Sequence, residues 1–276
     1  MSTLFISDLD GTLLGKDGKP GRDTVRMIND LIDRGVLFTA ATARSVSSHS
    51  ILRELGVRIP AVNLNGVLIY DPSADKYSGS TPIDTQSARE VLDIMKAFDR
   101  MSFIYRADEE FGIHVEFEKL SNETEKQFFE ARKNSDYKSF AKVDRIEISD
   151  DDRPIYFTMV DTYERLSPIH REISRIKGVR AVLYRDNYSD LFFLEVFSIN
   201  ATKALGMKRI KELTGADKVV AFGDNLNDIE MLRSADVGIA VNDAVSEVKE
   251  AADIVIGNSF EDGVARWLTE NADAYM

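Results

Sequence analysis

Residues 4–14 read Leu-Phe-Ile-Ser-Asp-Leu-Asp-Gly-Thr-Leu-Leu. A short apolar run suited to a buried strand stops on two carboxylates, Asp8 and Asp10. Aspartate is depleted from strands, and a carboxylate buried without a partner is costly. Two of them at the end of a core strand need a cation, a chemical task or a turn. An Asx-turn or a helix N-cap leaving the strand would account for either one. The choice depends on what the other strand ends carry.

The next 60 residues repeat one pattern. After the strand at 3–7, Asp23 is placed to N-cap a helix over 23–33. Val25, Ile28, Leu31 and Ile32 fall at helical spacing, and Gly35 is the stop. Residues 36–41 form a second buried strand, followed by a helix to Leu55 that stops at Gly56. Residues 60–64 form a third strand ending at Asn65-Gly66. Strands alternating with helices argue a parallel sheet covered on both faces.

The pattern then changes. Residues 67–70 and 76–78 suggest a hairpin around Asp71-Pro72. Helices are expected over 84–98, 122–133 and 163–176. Strands are expected over 102–106, 112–117, 145–149, 155–160, 179–184 and 191–197. The helix-strand-strand units at the two ends of this stretch, marked by Tyr105-Arg106 and Tyr184-Arg185, resemble a weak duplication around an antiparallel sheet. From Thr202 the first pattern returns. A helix runs to Leu213, and a strand over 218–222 ends in the polar run 223–228. A helix through Arg233, a strand over 237–241, a helix over 245–251, a strand over 254–256 and a helix over 260–268 follow. The expected fold is therefore α/β, with a doubly wound parallel sheet built from residues 1–81 plus 199–276. An inserted α+β domain spans residues 82–198.

Composition removes several function classes. The chain has 276 residues, a net charge of −12 and no cysteine. An acidic surface disfavours nucleic acid or an anionic membrane as partner. It leaves room for a small anionic substrate, because local cations can reverse the field in one pocket. Without cysteine there is no disulfide, no thiolate nucleophile and no thiolate zinc site. The early aspartates do not fit a signal peptide, and no apolar run approaches membrane-spanning length. A cytoplasmic protein is expected.

In open parallel sheets, ligands bind beyond the carboxyl ends of the strands. Four such ends carry unusual residues: Asp8 and Asp10; Thr42 and Arg44; Asn65; and Asp224, Asn227 and Asp228. One polar strand end is an ordinary turn, but four rich in carboxylates look like a site. Carboxylates without a histidine or cysteine cluster suit Mg²⁺ rather than Zn²⁺, and Mg²⁺ so held works on phosphate oxygens. Thr42 at a helix start suits a phosphate, Lys203 offers a point charge and Asn227 an amide. No Ser, Cys or His has a convincing base beside it, and no glycine-rich phosphate loop is present. A carboxylate nucleophile that forms an aspartyl-phosphate is the economical choice.

Asp8-Leu9-Asp10-Gly11-Thr12, Thr42, Lys203 and Gly223-Asp224-Asn225-Leu226-Asn227-Asp228 resemble, in order, the four motifs of the haloacid dehalogenase superfamily. The insert resembles the type IIB cap of its Cof-type phosphatases, and the tail from Gly238 to Asp253 resembles that subgroup as well. The resemblance implies a Rossmann-like core and position-specific roles. Asp8 would be the nucleophile and a Mg²⁺ ligand. Asp10 would act as acid and then base, with its carbonyl on the metal. Leu9, Thr42 and Ala43 would hold phosphate oxygens, and Lys203 would neutralise Asp8 and the phosphate. Asp224 would bind the metal directly, and Asp228 directly or through water. Asn227 would contact the phosphate, with Arg44, Asn65 and Gly66 near where the substrate arrives. Many relatives carry Gly where this chain has Ala43, which keeps the N–H but restricts the backbone.

The implied reaction is Mg²⁺-dependent hydrolysis of small phosphorylated metabolites by a monomer or weak homo-oligomer. Sugar phosphates are the leading class, with pyridoxal phosphate or flavin mononucleotide next. A phosphomutase or phosphotransferase, and a silent metabolite-binding regulatory module, are the alternatives. His49, His114 and His170 are expected at the surface or in packing, Trp267 in the core, and the acidic run 149–153 in a solvated loop.

Overall fold

All five residues of β1 (Thr3–Ser7) are buried, as expected for a strand covered on both faces. The computed structural model describes residues 2–101, 103–185 and 190–275. Within them the chain divides into two compact units, residues 1–79 with 201–276 and residues 80–200.

In the first unit, α1 (Arg22–Asp33) crosses from β1 to β2 (Leu37–Ala40), which pairs parallel to β1. The N-cap of α1 is Gly21 rather than Asp23. Asp23 lies in the first turn, where its carboxylate meets Arg26 at 3.1 Å and favours the positive helix end. After α2 (His49–Glu54), β3 (Ala61–Asn63) departs from expectation. Among the described residues, Val62 alone in this strand bridges in parallel, to Ala41. The strand then pairs antiparallel with β4 (Leu68–Asp71), which continues to β5 (Lys76–Ser80) in a separate three-stranded sheet. Leu64 and Asn65 take left-handed backbone angles, and this turn sends the chain back before a long ladder with β2 can form.

The second unit begins with α3 (Thr85–Ala97), capped by the Asp84 carboxylate accepting from the Ser87 N–H. Then come β6 (Phe103–Ala107), β7 (Ile113–Phe117), α4 (Glu123–Glu130), β8 (Lys138–Lys142), β9 (Pro154–Asp161), α5 (Tyr163–Ile173), β10 (Val179–Arg185) and β11 (Phe192–Ser198). The strands form one sheet in the order β10-β11-β9-β6-β7-β8. Two expectations change here. Residues 145–149 are no strand, although Ile146 and Ile148 are buried in the cluster with Ile104, Phe157 and Leu194. The Ile146 N–H goes instead to the Glu118 carboxylate at 2.7 Å. The strand that sequence reading missed is β8, an edge strand parallel to β7. The duplicated units are also not equivalent in the sheet, since β6 is interior and β10 is an edge. Ser102 and part of the turn before β11 lie outside the described residues.

The first unit resumes with α6 (Lys203–Thr214), β12 (Lys218–Gly223), α7 (Ile229–Ser234), β13 (Val237–Val241), α8 (Ser246–Ala251), β14 (Ile254–Ile256) and α9 (Gly263–Asn271). The main sheet is wholly parallel in the order β14-β13-β12-β1-β2. Strand order reverses between β1 and β12, and ligands collect at such a crevice. Ser7 pairs with both Ala40 and Phe222, so the carboxyl ends of β2, β1 and β12 finish level. That register brings the segments after them to one edge. His49 is a packing residue, buried and stacked on Tyr70 with ring centroids 3.5 Å apart. Trp267 is only half-buried, edge-on to Phe222. No helix among the described residues is long and apolar enough to cross a membrane.

Candidate active site

The Asp8 backbone N–H reaches across to the Phe222 carbonyl at 3.0 Å, one residue beyond the end of β1. This fixes the Asp8 side chain beside the β12 loop. Its carboxylate is 7% exposed and accepts from Lys203 Nζ at 2.5 Å. The same ammonium donates to Asp228 Oδ1 at 2.7 Å, and neither of those two side chains is more than 1% exposed. Lys203 is the first residue of α6. The Thr202 hydroxyl caps that helix by accepting from the Leu205 N–H. Gly66 touches the cap from outside: with φ at +103°, a Cβ there would lie 2.3 Å from the Thr202 carbonyl oxygen.

Asp228 is held from both sides. Its Oδ1 takes the lysine, and its Oδ2 accepts the N–H groups of Asp224 and Asn225, each at 3.1 Å. Asn225 completes a reciprocal capping box with it. Asp224, partly exposed, accepts from the Thr12 hydroxyl at 2.7 Å. Gly11 lets the β1 loop approach, because a Cβ there would fall 2.5 Å from Asp224 Oδ2. One oxygen each of Asp8, Asp224 and Asp228 lie within 4.8 Å of one another.

Two carboxylates thus meet one ammonium, and the third, Asp224, stands beside them, so acids outnumber bases in a largely buried place. Burial pushes the Asp8 carboxyl up to about 8, with Asp228 and Asp224 adding to the rise and Lys203 opposing it. Asp224 is raised as well, chiefly by burial. Burial works against the Lys203 charge, but Asp8 and Asp228 outweigh it and hold its pKa above the ordinary value. The carboxylates therefore share an excess of negative charge, not a missing donor. An all-oxygen donor set of three acids against one ammonium fits a hard divalent cation such as Mg²⁺.

A second group lies beside the first. The Arg44 guanidinium grips Asp10 with both prongs, Nε to Oδ2 at 2.7 Å and Nη2 to Oδ1 at 2.5 Å, and Nη2 also reaches the Gly18 carbonyl at 3.1 Å. The Asp10 carboxylate stands outside the three-carboxylate cluster. The Arg44 N–H donates to Thr42 Oγ1 at 3.0 Å, so the fully buried Thr42 hydroxyl keeps its own hydrogen to donate. Among the described residues no hydrogen bond takes up the N–H of Leu9 or Ala43. The Asn65 N–H donates to the Thr42 carbonyl, and the Asn65 side-chain oxygen accepts from Asn227 Nδ2, both at 3.0 Å.

The structure therefore holds Asp8, Lys203 and Asp228 in direct contact, with an Asp224 oxygen within 4.8 Å of both acids. Beside them, hydrogen bonds link Thr42, Arg44, Asn65 and Asn227 to one another and Arg44 to Asp10, with Ala43 between Thr42 and Arg44 in the chain and Gly66 against Thr202. Thr12, Thr202 and the Arg44–Asp10 pairing were not anticipated. Thr12 sits in the opening motif and Thr202 stands in the helix-capping position, so both carried a sequence signal. The Arg44–Asp10 pair carried none, because its members come from different strand ends.

A family model of the haloacid dehalogenase-like hydrolases matches residues 5–268. The chain is 28% identical to a 5-amino-6-(5-phospho-D-ribitylamino)uracil phosphatase of Bacillus subtilis, over 97% of this chain and 96% of that one. A crystal structure from Thermotoga maritima matches with a TM-score of 0.72 at 24% identity, covering 98% of this chain and 97% of its own. A haloacid dehalogenase subclass IIB sugar phosphatase matches with a TM-score of 0.67 at 22% identity, covering 99% of both. Matched from β1 to α9, with its carboxylates on the crevice between β1 and β12, the chain belongs to the haloacid dehalogenase-like hydrolases.

Proposed function

We propose that the protein is a Mg²⁺-dependent phosphatase acting on small phosphorylated metabolites through an aspartyl-phosphate on Asp8. The observation that carries the reading is the Asp8–Lys203–Asp228 relay, at 2.5 and 2.7 Å, with Asp224 beside it. Family membership and the phosphatase relatives support the reaction class. The B. subtilis relative is named for a phosphoribityl compound and the subclass IIB neighbour for sugar phosphates. Both support phosphorylated sugars or sugar alcohols as the leading class.

Asp8, Asp224 and the Asp10 carbonyl would hold the metal, with Asp228 acting on it through its hold on Lys203 and the Asp224 N–H. Bound there, Mg²⁺ would neutralise charge on phosphoryl oxygens. The Asp8 oxygen attacks phosphorus as the bond to the leaving oxygen breaks, and Asp10 gives that oxygen a proton. The Asp10 carboxylate then takes a proton from the water that attacks the aspartyl-phosphate, which frees Asp8. Lys203 fixes the Asp8 rotamer and offsets its charge. The Thr42 hydroxyl and the Leu9 and Ala43 N–H groups are donors for the phosphoryl oxygens, and Asn227 borders them. Hydrolysis of phosphate monoesters is among the slowest uncatalysed reactions, so a charged nucleophile, a cation and oriented donors are all required.

The test is release of inorganic phosphate from a broad panel of phosphorylated metabolites with Mg²⁺. Activity that Asp8→Asn abolishes supports the reading. Activity untouched by Asp8→Asn, or by thorough chelation of the metal, refutes it.

A further inference from the structure

We infer that Arg44 is the positioning residue for Asp10, so that the loop after β2, which also carries Thr42, aims the proton-transfer group. The inference rests on the phosphatase reading and adds to it a residue whose role is distinct from phosphate binding.

Arg44 offers both prongs of its fork to one partner. A bidentate guanidinium–carboxylate pair fixes angle as well as distance. Its side chain is 23% exposed and that of Asp10 is 51% exposed. An exposed aspartate samples several rotamers, and a proton-transfer group needs one. The fork is itself anchored by Nη2 on the Gly18 carbonyl, and the Arg44 main chain by its N–H on Thr42 Oγ1. Gly18 closes in on the guanidinium, since a Cβ there would lie 2.7 Å from Nη2. The grip therefore joins three segments, the β1 loop, the 15–19 turn and the β2 loop. Asp10 and Gly18 take three of the five N–H donors of the guanidinium, which leaves only Nη1 for another acceptor. When Asp10 carries its proton, the protonated oxygen must turn from Nη2 toward the leaving oxygen. The Nε bond to the other oxygen and the Gly18 contact can persist through that turn.

This role predicts a dependence on the leaving group. An ester with a highly acidic alcohol departs without help, whereas an alkyl ester needs the proton. The experiment measures kcat/KM for 2,4-dinitrophenyl phosphate and for an alkyl phosphate, with wild type, Arg44→Ala, Arg44→Lys, Asp10→Ala and the Asp10→Ala/Arg44→Ala double variant. Positioned acid catalysis contributes about 10²–10⁴-fold. Loss of aim should lower the alkyl-to-dinitrophenyl ratio by about 100-fold in Arg44→Ala. Lysine cannot reproduce the fork, so Arg44→Lys should share most of that fall. The double variant should show the same ratio as Asp10→Ala, because the two residues act as one unit. An equal loss on both esters, or a double variant whose ratio falls well below that of Asp10→Ala, overturns the inference. Should Arg44→Ala not fold, the Arg44→Lys ratio decides: an unchanged ratio overturns the inference and a lowered one supports it. If wild type hydrolyses neither ester, the phosphatase reading falls and takes this inference with it. If wild type is active and Asp8→Asn is not, an unchanged Arg44→Ala ratio removes only the role of Arg44.

Discussion

Lys203 Nζ stands 2.5 Å from Asp8 Oδ1, although 195 positions separate the two residues in the chain. The contact exists because the inserted unit leaves and rejoins the first unit without breaking its parallel sheet. Lys203→Ala would leave Asp8 and Asp228 facing each other in a buried place with no cation between them. One oriented electrostatic group is worth about 10²–10³ in rate. The phosphate-release rate should fall at least that far, and Lys203→Arg should not restore it, because a planar fork cannot replace one ammonium nitrogen bonded to both Asp8 and Asp228.

Proton and metal compete for Asp8. With its carboxyl raised to about 8 by burial, metal-free Asp8 carries a proton below that pH, and a cation must displace it. Mg²⁺ affinity should therefore rise with pH up to about 8, by about tenfold per unit for one displaced proton, and level off above. Calorimetric titration in buffers of different ionisation enthalpy should show proton release at pH 7 and almost none at pH 9. Affinity that is flat across this range would contradict the assignment.

Gly66 and Gly35 separate backbone strain from contact with the site. Both have positive φ, +103° and +93°. A Cβ on Gly66 strikes the Thr202 backbone, whereas one on Gly35 meets nothing within 4 Å. Each alanine variant should lose about 1–3 kcal/mol from left-handed strain, read from urea unfolding midpoints. Only Gly66→Ala should also lose most phosphate release, because it displaces the start of α6 and with it Lys203.

In the second unit, the Arg100 side chain is 5% exposed and lies between two buried carboxylates, Glu125 at 2.8 Å and Asp161 at 3.0 Å. It also donates to the Val160 carbonyl at 2.5 Å. Arg100→Met would take one ion pair from each acid, leaving Asp161 with the exposed Arg165 at 3.5 Å and Glu125 with the Ser121 N–H. Breaking such a pair from one side costs about 3–5 kcal/mol. The urea midpoint of this unit, followed by a fluorophore placed in it, should fall accordingly. A shift below about 1 kcal/mol would mean that the carboxylates find other partners.

The core was legible because each of its strands ends where polar residues begin, so Asp8, Thr42 and Asp224 announced both the strand ends and the site. The inserted unit was less legible. Ile146 and Ile148 alternate like a strand and are buried like one, but burial reports a covered face, not a free ladder partner. In β8, Lys138-Ser-Phe-Ala-Lys142, a single large apolar residue, Phe140, marks an edge strand, and its partner β7 is parallel across a helix. The left-handed turn at Leu64 and Asn65 that pulls β3 out of the main sheet also had no apolar signature. In the site, residue types pointed to carboxylate and phosphate chemistry, while the Asp10–Arg44 grip depended on three-dimensional register.

The most direct test of the central claim is capture of the intermediate. Enzyme turning over a phosphomonoester with Mg²⁺ would be quenched in acid, digested and mapped by mass spectrometry. The account predicts one phosphoryl group on the peptide containing Asp8, absent in Asp8→Asn and lost on mild alkaline treatment. Active enzyme that never carries phosphate on that peptide at any quench time, or that carries it on another residue, would contradict it.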